Sequence, residues 1–127
     1  MAIDYVFEDG ILRLTLSGAS EPGDVAAVMS AALEDDSRPA LRGLLFDARG
    51  STSAAKRTSG EVRAIAGELA RRAEDFGGRL ALVAPSDVVY GLMRMGEVWF
   101  QSGGDAFSRV FRDEAEALSW LASNGAR

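Results

Sequence analysis

The 127-residue chain contains no cysteine and no histidine. Without cysteine there is no disulfide framework, no thiol nucleophile and no thiolate metal site. Without histidine the chain lacks the commonest general base and the commonest transition-metal ligand. Proton transfer would depend on Asp47, a serine or Tyr90, and these residues show no recognisable catalytic spacing. We therefore predict a protein that is not an enzyme and that holds no cofactor and no metal.

Long apolar runs are also missing. No stretch approaches the ~20 residues of a membrane span, and Met1 to Asp4 lacks the basic and apolar parts of a secretion signal. These absences predict a cytoplasmic protein with no membrane span. The net charge of −5 argues against a nucleic-acid partner, since phosphate backbones attract basic surfaces.

The pattern of apolar residues predicts the element order ββαβαβαβα. Alternation on either side of Asp9-Gly10 indicates a β-hairpin. Continuously apolar runs at Leu44–Phe46 and Leu80–Ala84 indicate strands buried on both faces, and Val110-Phe111 indicates a short fifth strand. Segments with helical spacing separate the later strands, which implies parallel pairing. We expect one α/β domain over residues 1–127, with a mixed, mostly parallel five-stranded sheet.

A loop rich in hydroxyl groups follows the strand that ends before Asp47. In open α/β sheets ligands bind beyond the carboxyl ends of strands, and helix amino termini favour anions. The candidate residues for a loop or anion site are therefore Asp47, Gly50, Ser51 and Ser53. The alternative is purely structural, because Thr58 and Glu61 have the spacing of a helix capping box.

The segment from Asp87 to Gln101 predicts a helix with an unusually wide apolar arc. One narrow polar stripe contains Asp87, Arg94 and Glu97. The apolar arc that makes up most of the remaining helix surface is wider than packing on one sheet face requires. Either this helix forms a dimer contact or an apolar pocket, or its neighbours in the fold cover the excess. The candidate pocket or interface residues are Tyr90, Met93, Met95, Gly96, Trp99 and Phe100.

Two sets of residues resemble a known family. Asp47-Ala48-Arg49-Gly50 and Thr58-Ser59-Gly60 resemble the STAS domain (sulfate transporter and anti-sigma-factor antagonist), also called SpoIIAA-like. Residues 85–95 and 110–121 resemble a bacterial, uncharacterised branch of that superfamily, the STAS/SEC14-like proteins. The resemblance covers nearly the whole chain as an order of elements.

The resemblance implies a singly wound sheet with helices mainly on one face. It also implies that Ser59, or its neighbour Thr58, is the phosphoacceptor, although Arg57 stands where the family has an acid. The relationship to SEC14-type carriers implies an apolar pocket.

We therefore predict a cytosolic protein-interaction or regulatory module that forms a homodimer through the Asp87–Gln101 helix. One alternative is a module that binds a small apolar ligand or a lipid. Another is a phospho-regulated anti-sigma-factor antagonist.

Overall fold

The computed structural model describes residues 2–102 and 106–123. The elements follow the predicted order. The strands are β1 (Ile3–Glu8), β2 (Ile11–Gly18), β3 (Gly43–Ser51), β4 (Arg79–Val83) and β5 (Phe107–Phe111). The helices are α1 (Pro22–Leu33), α2 (Ser59–Arg71), α3 (Asp87–Gln101) and α4 (Glu114–Ala122).

The predicted hairpin is confirmed. Asp9 and Gly10 both have positive φ, 53° and 77°, as a two-residue turn matched to strand twist requires. The turn sets the register in which Glu8 pairs with Ile11 and Ile3 pairs with Leu16. Every second residue of the hairpin therefore faces the core.

The strands form one sheet in the order β1-β2-β3-β4-β5, antiparallel at β1–β2 and parallel elsewhere. Each parallel connection passes through a helix. Because every connection advances the sheet in the same direction, α1, α2 and α3 all lie on one face, where they cover the larger core. The predicted mixed sheet with helices mainly on one face is confirmed.

The fourth helix packs on the opposite face of the sheet. Ala117, Trp120 and Leu121 of α4 contact a smaller apolar cluster formed by alternate residues of the strands. The second face is thus covered mainly over β3, β4 and β5, while β1 leaves Asp4 and Glu8 exposed. This matches the alternation of the hairpin.

Three boundaries differ from the sequence-based expectation. β3 continues past Asp47 to Ser51, through an irregularity at which Thr15 pairs with Asp47 and Ser17 with Gly50. The apolar residues from Val62 to Phe76 have helical spacing in the sequence, but α2 ends at Arg71 and a 3-10 turn at Ala73–Phe76 follows it. β5 begins at Phe107, earlier than its most apolar part.

Asp47 remains inside the sheet because an ion cluster surrounds it. Its side chain is only 5% exposed on the α4 face of β3. Arg49 donates to it from Nε at 2.9 Å and from Nη2 at 2.8 Å, and Arg13 lies at 3.5 Å. Arg13 also binds both carboxylate oxygens of Glu114, at 2.7 and 2.8 Å, and Arg49 contacts Glu114 too. The cluster thereby joins the first turn of α4 to β2 and β3.

The cluster lowers the pKa of both carboxyl groups. Burial raises the pKa of Asp47. Hydrogen bonds from Arg49 and the charges of Arg49 and Arg13 together outweigh this effect, so the net pKa is lowered. Hydrogen bonds from Arg13 and Arg49 lower the pKa of Glu114 against a smaller effect of burial. The folded chain therefore releases protons from these groups more readily than the unfolded chain does.

This predicts acid-sensitive stability. The stabilisation is fully present above the unfolded pKa values of about 4 and is lost as the pH falls through the lower folded values. We expect Asp47→Asn to reduce the free energy of unfolding at pH 7 by about 1–3 kcal/mol and to flatten its decline below pH 5. Urea unfolding from pH 7 to pH 3 measures both effects.

Asp36→Asn is the control, because this exposed acid loses the same charge outside the cluster. An Asp47→Asn variant whose unfolding free energy follows the wild-type pH profile would contradict the prediction.

Candidate functional site

Helix α3 begins where the sequence indicates. The Ser86 side chain accepts a hydrogen bond from the Val89 N–H at 3.3 Å, and the helix continues to Gln101. Its position over the sheet is set by a buried side with helical spacing. The residues of that side are Val89, Met93, Gly96 and Phe100.

The opposite side of α3 exposes apolar residues. Val88 is 60% exposed, Val98 is 65% exposed and Trp99 is 37% exposed. Among the described residues, the only other large apolar side chain of this kind is Val6 on β1. We call this surface the α3 strip. By helical spacing it comprises Val88, Gly91, Leu92, Met95, Val98 and Trp99. The apolar arc is therefore not fully covered by the described part of the chain.

Gly96 allows α3 to approach α2 closely. A Cβ atom at this position would lie 3.2 Å from Cγ1 of Val62 and 3.9 Å from Cβ of Ala66. Gly91 is different, since a Cβ there would meet nothing within 4 Å. Gly96 therefore serves close helix packing, and Gly91 lies on the open side of α3.

A cavity of about 90 Å³ lies between the helix layer and the sheet. Its walls come from α2 and α3, from the face of β2 to β5 that these helices cover, and from one residue of α1. Met93, Gly96 and Phe100, three of the sequence-predicted pocket residues, line it. Sequence reasoning did not assign Val62, Ile65 or Leu92 to a pocket, and they line it as well. The cavity is smaller than the ~150 Å³ that accommodates benzene in an engineered protein core.

Glu97 supplies a polar group to the cavity wall. Its side chain is 13% exposed, and its carboxylate accepts hydrogen bonds from Arg94 at 2.8 Å and from Ser108 at 3.3 Å. Burial raises the pKa of Glu97, partly offset by Arg94, Ser108 and Arg109. The sequence placed Glu97 on an exposed polar stripe, because helical spacing does not show that β5 would cover it.

The remaining pocket candidates lie elsewhere on α3. Tyr90 faces a groove on the β5 side, with Arg94 and Arg109. Met95 is half-buried on the α3 strip. The guanidinium of Arg63 lies over the indole ring of Trp99, 4.2 Å from the centroid of that ring. The structure therefore divides the six predicted residues among a cavity, a groove and an exposed strip.

The hydroxyl-rich loop is held by its own hydrogen bonds. Ser51 Oγ accepts from the N–H groups of Ser53 at 3.3 Å and Ala54 at 3.0 Å. Ser53 Oγ accepts from the Ser20 N–H at 3.0 Å. Gly50 lies against β2, where a Cβ would be 2.7 Å from the Leu16 carbonyl oxygen. These contacts account for the loop structurally.

Asp47 does not join this loop. It faces the α4 side of the sheet, whereas Ser51 lines the cavity on the other side. Thr58 and Glu61 form the predicted capping box, with Thr58 Oγ1 accepting from the Glu61 N–H at 3.1 Å. Ser59 is exposed at the first position of α2. Modification of Ser59 or Thr58 stays a prediction.

The described residues place limits on other kinds of site. Over residues 2–102 and 106–123, no three carboxylate groups are placed so that they could hold a metal ion. No helix in the same ranges has the length and apolar character needed to cross a membrane.

The sheet order and the helix positions define the fold class. No protein-family model matches the sequence, and neither does any curated protein. A solved structure is similar over 95% of this chain and 93% of its own length, at 16% identity and a TM-score of 0.56. It is an uncharacterized protein of the DUF3478 family, with a SpoIIAA-like fold, from Shewanella loihica PV-4. The present chain has the SpoIIAA-like fold, as the resemblance implied.

The two glycines of α3 predict opposite responses to alanine. Gly91→Ala should raise the free energy of unfolding by up to about 1 kcal/mol, because alanine favours a helix and the site has free space. Gly96→Ala should gain less or lose stability, because its Cβ would press on Val62. Denaturant unfolding of both variants measures the difference.

Val62→Ala provides the matched background. If the clash is the cause, Gly96→Ala becomes more favourable once Val62 is truncated. Equal gains for both alanine substitutions in the wild-type background would show that α2 does not restrict Gly96.

Proposed function

We propose that this chain is a non-enzymatic, cytosolic protein-interaction module that self-associates through the α3 strip. The exposure of apolar residues along one side of α3 is the observation that supports this function. Large exposed apolar patches on soluble proteins mark contact sites. Met and Trp on this surface are residue types enriched at protein interfaces.

The spacing of the strip fits an antiparallel pair of α3 helices. Val88, Leu92, Met95 and Trp99 follow one another at intervals of four, three and four residues, as in the seam of paired helices. A Cβ atom added at Gly91 would have no neighbour within 4 Å, so a second helix could approach α3 closely there.

The charges at the two ends of the strip are complementary. Asp87 begins α3 with an exposed side chain that also binds Arg112 of its own chain, and Arg63 covers Trp99 near the opposite end. A two-fold axis across α3 would bring Asp87 of one chain next to Arg63 of the other. Because α3 is only about 22 Å long, we expect this contact alone to give a weak dimer.

We predict that a Val88→Glu, Val98→Glu double variant is a monomer at concentrations where the wild type dimerises. Both positions are exposed, so the added charges should oppose burial at an interface without unfolding the chain. Analytical ultracentrifugation over a concentration series measures the association constant, and circular dichroism checks the fold.

Val6→Glu is the matched control, because Val6 is 46% exposed and lies on β1, away from α3. It should dimerise like the wild type. A wild-type chain that stays monomeric at millimolar concentration would contradict self-association.

The cavity supports a second candidate function, the binding of a small apolar ligand. Its size suits a group of a few carbon atoms or the end of a longer chain.

We predict that xenon under pressure shifts the methyl resonances of Met93 and Leu69, which line the cavity. Ala48→Leu, a substitution in the floor of the cavity, should abolish these shifts. Native mass spectrometry then distinguishes the functions: a retained ligand favours the cavity, and an empty dimer favours the α3 strip.

A further inference from the structure

The last strand of the sheet has an open edge. Within residues 2–102 and 106–123, β5 pairs only with β4. Phe107 donates to the Gly78 carbonyl at 2.8 Å, and the Phe111 carbonyl accepts from Ala84 at 2.9 Å. Since backbone groups alternate along a strand, the N–H and C=O groups of Ser108 and Val110 point away from β4. Among the described residues these groups have no strand partner, so another strand can bind them.

A groove of about 520 Å³ follows this edge. Tyr90 and Arg94 of α3 line it on one side of the sheet. Arg109 of β5 and Glu116 of α4 line it on the other side. An added strand would lie about 4.8 Å from β5, and its successive side chains would face these two sides alternately.

Arg94, Arg109 and Arg112 line the groove together with Glu97 and Glu116, so its charged residues leave a small positive excess. The whole chain, in contrast, has a net charge of −5. Arg109 is exposed and makes no ion pair in the part of the chain that the structure describes; its guanidinium lies 5.6 Å from the centre of the Phe111 ring. Arg94 is largely exposed and binds Glu97 through Nε. An acidic side chain opposite Arg109 would form the close ion pair that Arg109 lacks among the described residues, where it acts on Glu97 only at longer range.

The same arginine disfavours a second copy of this chain at the edge. An antiparallel pair of β5 strands that joins Ser108 to Val110 would place the two Arg109 side chains directly opposite each other. Like charges at directly opposed positions destabilise strand pairing. In this register the edge disfavours a second copy of the chain, whereas an acidic side chain opposite Arg109 would be attracted.

We propose that the edge of β5 accepts an extended acidic segment of another protein as a sixth strand. Ser108 and Val110 supply the backbone hydrogen bonds, and Arg109 selects for acid. This surface is distinct from the α3 strip, so the two proposals stand or fall separately.

The probe is a fluorescently labelled eight-residue peptide of alternating valine and glutamate, and a peptide of alternating valine and lysine is its counterpart. We expect the acidic peptide to bind and the basic peptide to bind at least about tenfold more weakly. Binding should weaken with added salt, because the selecting charge is exposed. Fluorescence anisotropy gives the dissociation constants.

Substitution of Ser108 tests the backbone contact. Ser108→Pro removes the outward N–H and leaves the hydrogen bonds between β5 and β4 in place. Ser108→Ala removes only the hydroxyl that donates to Glu97. We expect Ser108→Ala to bind like the wild type and Ser108→Pro to bind about tenfold more weakly. Hydrogen exchange should show new protection at the Ser108 and Val110 amides of the complex.

Charge reversal tests the selection. Arg109→Glu should bind the basic peptide better than the acidic one, whereas Arg71→Glu on α2, an equal charge change away from the groove, should keep the wild-type preference. The proposal would be overturned if the folded wild type failed to bind the acidic peptide. It would also be overturned if the Ser108→Pro variant bound this peptide as well as the wild type does. So would wild-type dimerisation that Ser108→Pro abolishes, since the second copy would then occupy the edge.

Discussion

The handedness of the strand–helix–strand connection determines which surfaces of this protein are open. Because each parallel connection turns the same way and advances the sheet by one strand, three helices share one face. The last of them, α3, lies over the final pair of strands. In the described part of the chain it has a helix neighbour, α2, on one side only. The α3 strip, the cavity beside α2 and the groove along β5 all border this one helix. A doubly wound sheet of the same strands would have distributed its helices over both faces.

The elements that depend on local chemistry could be predicted from the sequence. The Asp9-Gly10 turn, the Thr58–Glu61 capping box and the start of α3 at Ser86 each require only residues close together in the chain. The end of β3 could not be predicted in this way. Asp47 resembles a strand terminator until the arginines around it are known: Arg49 is two residues away, but Arg13 is distant in sequence, and both are held by Glu114 of α4.

The candidate site shows the same division. Periodicity predicted that α3 has more apolar surface than the sheet can cover, and three exposed residues agree. Periodicity could not separate the side that faces α2 from the side that faces solvent, since that depends on the close approach at Gly96. It also placed Glu97 among exposed polar residues, although Ser108, on a strand formed later in the chain, covers it.

The bond between Arg13 and Glu114 joins residues that are 101 positions apart in the chain. Contacts that close so large a loop lose much chain entropy when they form, so we expect this one to form late in folding, after the hairpin and the crossover helices. Interactions made after the transition state slow unfolding and hardly change the folding rate. The ion cluster would then determine the unfolding rate, and with it how long the folded molecule persists. The hairpin would determine how quickly the chain folds.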